Sequence, residues 1–239
     1  MASLGRRDLL LGLVMALIAP SLLAADFSRL AEALEMIKGV GATMVHVDVA
    51  DGHFSADLTV GQPVIRSLRN STDLALDVHL LIERPERYAA EFVDLGADRV
   101  SVHAEAATNL HPVLEAIRQR GAKAGVALNP STPLEALEEV LGEVDSVMLL
   151  TADPGVKEQP FIPGSLDKIR RTVKTREDRR LKFAVQVEGG VSLERVEEMV
   201  QAGADILVAG SAIFHYENPR ARLADLIRLA GTARQTSKV

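Results

Sequence analysis

Residues 45–54 read VHVDVADGHF, with His46 and Asp48 two apart in an apolar run and Asp51 and His53 just beyond it. Alternate residues of an extended strand share a face, so His46 and Asp48 point the same way. The spacing recurs in Asp77-Val-His79, and other apolar runs end in His103, Asn129, Glu188-Gly189-Gly190 and Gly210-Ser211. Imidazole nitrogens and carboxylate oxygens gathered together form a donor set for a divalent cation. The chain has no cysteine, which excludes disulfides and thiolate ligation and leaves His and carboxylate to hold any metal. A single histidine is as readily a hydrogen-bonded structural residue. The metal reading rests on several polar strand ends meeting at one mouth, and Asp77 and His103 are equally read as braces for neighbouring ligands.

The elements that must position these residues alternate along the chain. Apolar, β-branched runs at 16–20, 44–49, 74–80, 98–103, 123–128, 145–151, 182–188 and 205–209 predict strands. Segments 27–39, 85–96, 109–121 and 192–203 carry apolar residues at helical spacing. Gly39, Gly96, Gly121 and Gly203 are expected to close those helices in a left-handed conformation. The joint into the next strand then repeats as GATMV, GADRV, GAKAG and GADIL, the mark of an internal repeat. Eight strands, each followed by a helix, predict a single-domain (β/α)8 TIM barrel of the α/β class, with a doubly wound open sheet as the alternative. In such a barrel the functional face lies where strands end, which is where the polar residues stand. The glycines at 189–190 and 210 each precede a helix, positions where barrels bind phosphate on backbone N–H groups.

Composition narrows the partners. With 33 acidic against 27 basic residues there is no basic surplus to displace counterions from a nucleic acid. Tryptophan is absent and aromatics make up 3%, which disfavours stacking platforms for single strands or sugars. The apolar run near the N-terminus is too short and interrupted for a membrane span. Its GRRDLLLGLVMALIAPSLLAAD segment is similar to a twin-arginine export signal with cleavage near Ala24, or else contains the first core strand.

The segments IAPSLLAADFSRL, HVDVADGHF, DVHLLIERPERY, VSVHAEA, AGVALNPSTPLEAL, DPGVKEQPFIP, EGGV and GADILVAGSAIF resemble the ribulose-phosphate 3-epimerase family from about Ala16 to Phe214. The resemblance implies one divalent metal (Zn, Fe, Mn or Co) on His46, Asp48, His79 and Glu188, with Asp48 and Glu188 as the catalytic acid/base pair. It implies a sugar-phosphate substrate touched by Ser21 and His79, its phosphate near Gly155, Gly189, Gly190, Gly210 and Ser211. The expected reaction is epimerisation at C3 of a ketose phosphate, such as D-ribulose 5-phosphate to D-xylulose 5-phosphate. Proton transfer between two carboxylates would pass through an enediolate that the metal stabilises. The resemblance also implies a homo-oligomer.

The chain departs from the family pattern at the chemistry itself. Glu188 stands where the family usually has Asp, Ala50, Leu81 and Leu150 stand where it carries methionines, and Val156-Lys157-Glu158 replaces a glycine run. Three functions fit these departures: an epimerase with a reshaped pocket, an isomerase for a different sugar or sugar phosphate, and a catalytically impaired metal-binding barrel. Cleavage near Ala24 would remove the first strand and Ser21 and leave open sheet edges. The expectation is therefore a cytoplasmic protein with an N-terminal extension over 1–14 and a barrel domain over 15–239.

Overall fold

The computed structural model describes residues 15–156 and 161–236. The extension over 1–14, with its paired arginines, and Lys157 and Glu158 lie outside the described residues. Eight strands run β1 Leu17–Pro20, β2 Met44–Ala50, β3 Ala75–Leu81, β4 Arg99–His103, β5 Lys123–Leu128, β6 Ser146–Leu150, β7 Ala184–Glu188 and β8 Ile206–Ala209. They form one parallel sheet in the order β1-β8-β7-β6-β5-β4-β3-β2. A parallel bridge between Ser21 and His46 joins its two ends, so the sheet curls into the predicted barrel. Around it lie α1 Leu30–Val40, α2 Gln62–Ser71, α3 Ala89–Asp94, α4 Leu110–Gln119, α5 Ser165–Asp178, α6 Val196–Gln201, α7 Ser211–Phe214 and α8 Pro219–Thr236.

Two expectations need correction. Between β5 and β6 the described chain forms only a 3-10 turn, Leu134–Leu137. Pro130 and Pro133 precede it, positions where proline is tolerated because the N–H groups of a first turn have no intrahelical acceptor. Secondly, Gly39 lies inside α1, and it is Gly41, at φ +94°, that closes it. Gly96, Gly121 and Gly203 do adopt positive φ, as expected.

Two of the four joints, GADRV and GADIL, carry an aspartate, and Asp145 stands at the corresponding place before β6. Asp98 Oδ2 accepts from the Leu76 N–H, Asp145 Oδ2 from the Ala124 N–H and Asp205 Oδ2 from the Val185 N–H, each at 2.8 Å. An aspartate just before one strand thus ties down the start of the strand before it, satisfying a donor at the sheet margin.

Period-two alternation divides the strands between two environments. The outward residues, such as Val45, Val47, Leu76, Val78, Val100 and Val185, are buried against helical residues including Leu34, Ile65, Leu114 and Ile169. Each fully buried side chain of this kind contributes about 1.5–3 kcal/mol. Inward residues are mixed. Ala19, Met44, Ile206 and Val208 form an apolar cluster on the β8–β1–β2 side, while Asp77, Arg99, Ser101, Ser146 and Gln186 bury polar groups elsewhere inside. Gly125 makes room for two of these, since a Cβ there would stand 2.2 Å from Ser101 Oγ and 2.7 Å from Ser146 Oγ. Among the described residues no helix is long and apolar enough to cross a membrane.

Candidate active site at the barrel mouth

Strand register assembles the site. β2 pairs with β3 so that His46 lies beside Asp77 and Asp48 beside His79. Glu188 is the last residue of β7, which lies three places round the ring from β2. One ligand atom from each of His46, Asp48, His79 and Glu188 falls within 4.8 Å of all the others. His46 Nε2 is 3.1 Å from Asp48 Oδ1 and 3.5 Å from Glu188 Oε2. His79 Nδ1 is 3.2 Å from Asp48 Oδ1 and 3.1 Å from Glu188 Oε2. Both imidazoles are fully buried and Asp48 is 2% exposed. The longer Glu188 side chain, placed at the end of its strand, spans the gap to the two histidines.

Each group is held from behind. His46 Nδ1 lies 2.7 Å from Asp77 Oδ2, which also accepts from Gln186 Nε2 at 2.7 Å. Ser21 Oγ donates to Asp48 Oδ2 at 2.8 Å. Thr59 Oγ1 donates to the Asp48 carbonyl at 2.7 Å and accepts from the Ala50 N–H at 2.8 Å, fixing the end of β2. Thr151 does the same for β7, its hydroxyl donating to the carbonyls of Glu188 and Gly189. His79 Nε2 faces His103 Nε2 at 2.9 Å, and His103 Nδ1 faces Glu105 Oε2 at 3.0 Å.

The charges couple strongly. Burial opposes protonation of His46, but the Asp48 and Asp77 charges outweigh it and raise the ring well above its ordinary value. His79 is raised to about 9, burial being overcome by Glu188 and Asp48. Burial would push Asp48 up, yet His46 and His79 hold it well below the carboxylate range. Glu188 is lowered as well: burial and the Asp48 charge push it up, and the two histidines more than offset them. Protons therefore neutralise the ion-free cluster.

The cleft above has about 520 Å³ of open space and is walled by Leu23, Ala50, Leu81 and Leu150 on its apolar side. Thr59, Ala152, Asp153, Gly155 and Gly189 are among the other residues of its wall around Asp48 and Glu188, as are Ser55, Asp57 and Pro154. Gly155 (φ +75°) passes close to another loop, for a Cβ there would lie 2.6 Å from the Ala56 nitrogen. Gly189 (φ +103°) stands against the Ala152 nitrogen. Gly190 sits outside this lining beside Phe161. Gly210 lies against Ala24 and Ser21, and Ser211 is exposed at the start of α7. His53 is exposed, and Asp51 is a loop brace, accepting from the N–H groups of His53, Phe54 and Glu83. Sequence reasoning missed Gln186, Glu105 and Thr59. Gln186 shares a strand face with Glu188, a period-two signal that could have found it; Glu105, in the turn beyond β4, and Thr59, brought in by a loop fold-back, leave no such mark.

The profile of the ribulose-phosphate 3 epimerase family matches residues 17–214. The chain belongs to that family. The ribulose-phosphate 3-epimerase of Bacillus subtilis is 40% identical over 210 residues, covering 87% of this chain and 97% of the relative. That of Treponema pallidum is 45% identical, covering 82% and 90%, and that of Mycobacterium bovis 43%, covering 91% and 94%. Among solved structures, KGPDC from Streptococcus mutans superposes with a TM-score of 0.68 at 14% identity, over 92% of this chain and 99% of that one. At that identity the likeness concerns the fold alone. Within the ribulose-phosphate 3-epimerase family pattern, the four gathered side chains fall on the positions the sequence resemblance assigned to the metal.

Proposed function

We propose that the chain is a metal-dependent epimerase inverting C3 of a ketose phosphate such as D-ribulose 5-phosphate. The observation that carries this reading is the convergence of two imidazole nitrogens and two carboxylate oxygens at the floor of a sugar-sized cleft. The donor set fits a cation. One ligand atom of each of the four residues lies within 4.8 Å of all the others, and the four imidazole–carboxylate distances run from 3.1 to 3.5 Å, close enough for nitrogen and oxygen donors to share one divalent ion. Glu188 Oε2 is buried and makes no well-formed hydrogen bond, although both histidines face it. His46, Asp48, His79 and Glu188 would hold the ion. When bound, a divalent cation supplies positive charge beside the substrate carbonyl, which eases loss of the neighbouring proton.

The chain's own residues do the rest. Asp48 presents two different oxygens: Oδ1 faces the histidines, and Oδ2 is oriented by the Ser21 hydroxyl. Oδ2 takes the C3 proton from one side while Glu188, reaching in from β7, returns one from the other. Leu23, Ala50, Leu81 and Leu150 limit water at the reacting carbon, and this burial pushes the carboxylates toward greater basicity, against the opposing pull of the histidines. In this reading the phosphate lies toward the ends of β6, β7 and β8, near Gly155, Gly189, Gly190, Gly210 and Ser211. A cytoplasmic location, where phosphorylated sugars circulate, goes with it.

The test is solvent exchange. In D2O, ribulose 5-phosphate is expected to gain deuterium at C3 with the metal-loaded protein and not after chelation. Exchange that survives complete metal removal, or no exchange with metal bound, contradicts the proposal. The cluster's charge adds a pH dependence. His79 keeps its proton up to about pH 9 in the ion-free protein, so cation uptake below that pH must displace it. Apparent affinity therefore rises with pH toward 9, about tenfold per unit for each proton released. Chelator-competition titrations at pH 6 and pH 8 check this, and equal affinities would speak against it.

A further inference from the structure

We propose that Glu105, acting through His103, fixes which nitrogen of His79 is free to meet the cation. Glu105 is thus a positioning residue for the metal centre. The inference rests on the metal reading above and goes beyond it.

Glu105 is fixed on its outer side. Its Oε1 accepts the Asn129 N–H at 2.7 Å. The loop that supplies this donor is clamped by Lys168 of α5, whose Nζ donates to the carbonyls of Asn129, Pro130 and Thr132 at 2.8, 3.3 and 2.6 Å. The other oxygen, Oε2, then faces His103 Nδ1 at 3.0 Å.

A carboxylate only accepts, so His103 carries its hydrogen on Nδ1. A neutral ring so arranged has a lone pair at Nε2, and that atom stands 2.9 Å from His79 Nε2. Two ring nitrogens at that distance need one hydrogen between them, and His79 must supply it. Neutral His79 therefore bears Nε2–H, and the proton that a cation displaces is the one on Nδ1, the atom turned toward Asp48 and Glu188. His46 reaches the same end in one step, its Nδ1 donating to Asp77 and its Nε2 facing the site. One ligand is thus oriented directly by a carboxylate, the other through an intervening imidazole.

Glu105→Gln separates this from simple packing, because the amide has the same shape. The Asn129 N–H holds the amide oxygen, so the amide NH2 faces His103 Nδ1. That nitrogen must then accept, His103 moves its hydrogen to Nε2, and His79 is driven to place a hydrogen on Nδ1, in the cation's position. Zinc affinity is expected to fall about 10–100-fold, the usual range for losing such a partner, with thermal stability little changed.

The experiment combines zinc titration against a chelator with long-range 1H–15N correlation of the histidine rings in zinc-loaded protein. The wild type is expected to show Nδ1–H on His103 and Nε2–H on His79. Zinc uptake with the hydrogens in the reverse order, or E105Q affinity within twofold of wild type, overturns the inference and leaves the metal reading standing. Wild-type protein that takes up none of zinc, iron, manganese or cobalt overturns both. If E105Q does not fold, the ring assignments in the wild type still decide the matter.

Discussion

Asp48→Asn is expected to lower kcat for C3 inversion by about 1,000-fold or more, within or beyond the range of about 10²–10⁴ for losing a positioned acid/base. Two effects act together. Asparagine cannot take a proton from carbon, and its amide is a poorer partner for a cation than the carboxylate oxygen between His46 and His79. The size and shape of the side chain are kept, and an amide oxygen can still accept from Ser21 Oγ, so the fold should survive. Steady-state kinetics on ribulose 5-phosphate, with the deuterium exchange assay, provide the measurement. A loss below tenfold would remove Asp48 from the chemistry.

The second large effect concerns Glu188, at a position where the sequence resemblance leads one to expect the shorter Asp. Its Oε2 lies 3.1 Å from His79 Nδ1 and 3.5 Å from His46 Nε2, in reach of both. Glu188→Asp would withdraw the carboxylate by about one C–C bond, and a displacement near 1 Å at a reacting centre costs about 100-fold. The β7 end cannot easily follow, because Thr151 holds the Glu188 carbonyl through both its N–H and its hydroxyl. The expected result is kcat/KM about 100-fold lower, with weaker metal retention. Activity equal to or above wild type would show that the strand end adapts to the shorter residue.

The barrel was legible because its signals are local and repeated. Valines and leucines at alternate positions marked the outward strand faces, and the four Gly-Ala joints marked where strands begin. The 3-10 turn after β5 was hidden by apolar spacing in PLEALEEVLGEV that suits a helix. The metal candidates were legible for the same reason as the strands: period two put His46 with Asp48 and Asp77 with His79. The supporting partners were less so. Gln186 to Asp77 spans 109 residues and Lys168 to Asn129 spans 39, and contacts made only by barrel closure leave no pattern along the chain. The longer arm of Glu188 looked from its type alone like a displaced carboxylate, and the position of the β7 end is what lets it reach the histidines.

The central claim is that His46, Asp48, His79 and Glu188 grip one cation. Anomalous scattering from crystals of the metal-loaded protein tests it most directly. The account predicts one peak per chain about 2.0–2.3 Å from one atom of each of the four side chains. A fully active, metal-loaded protein whose peak lies elsewhere, or one with no peak at the barrel mouth, would contradict it.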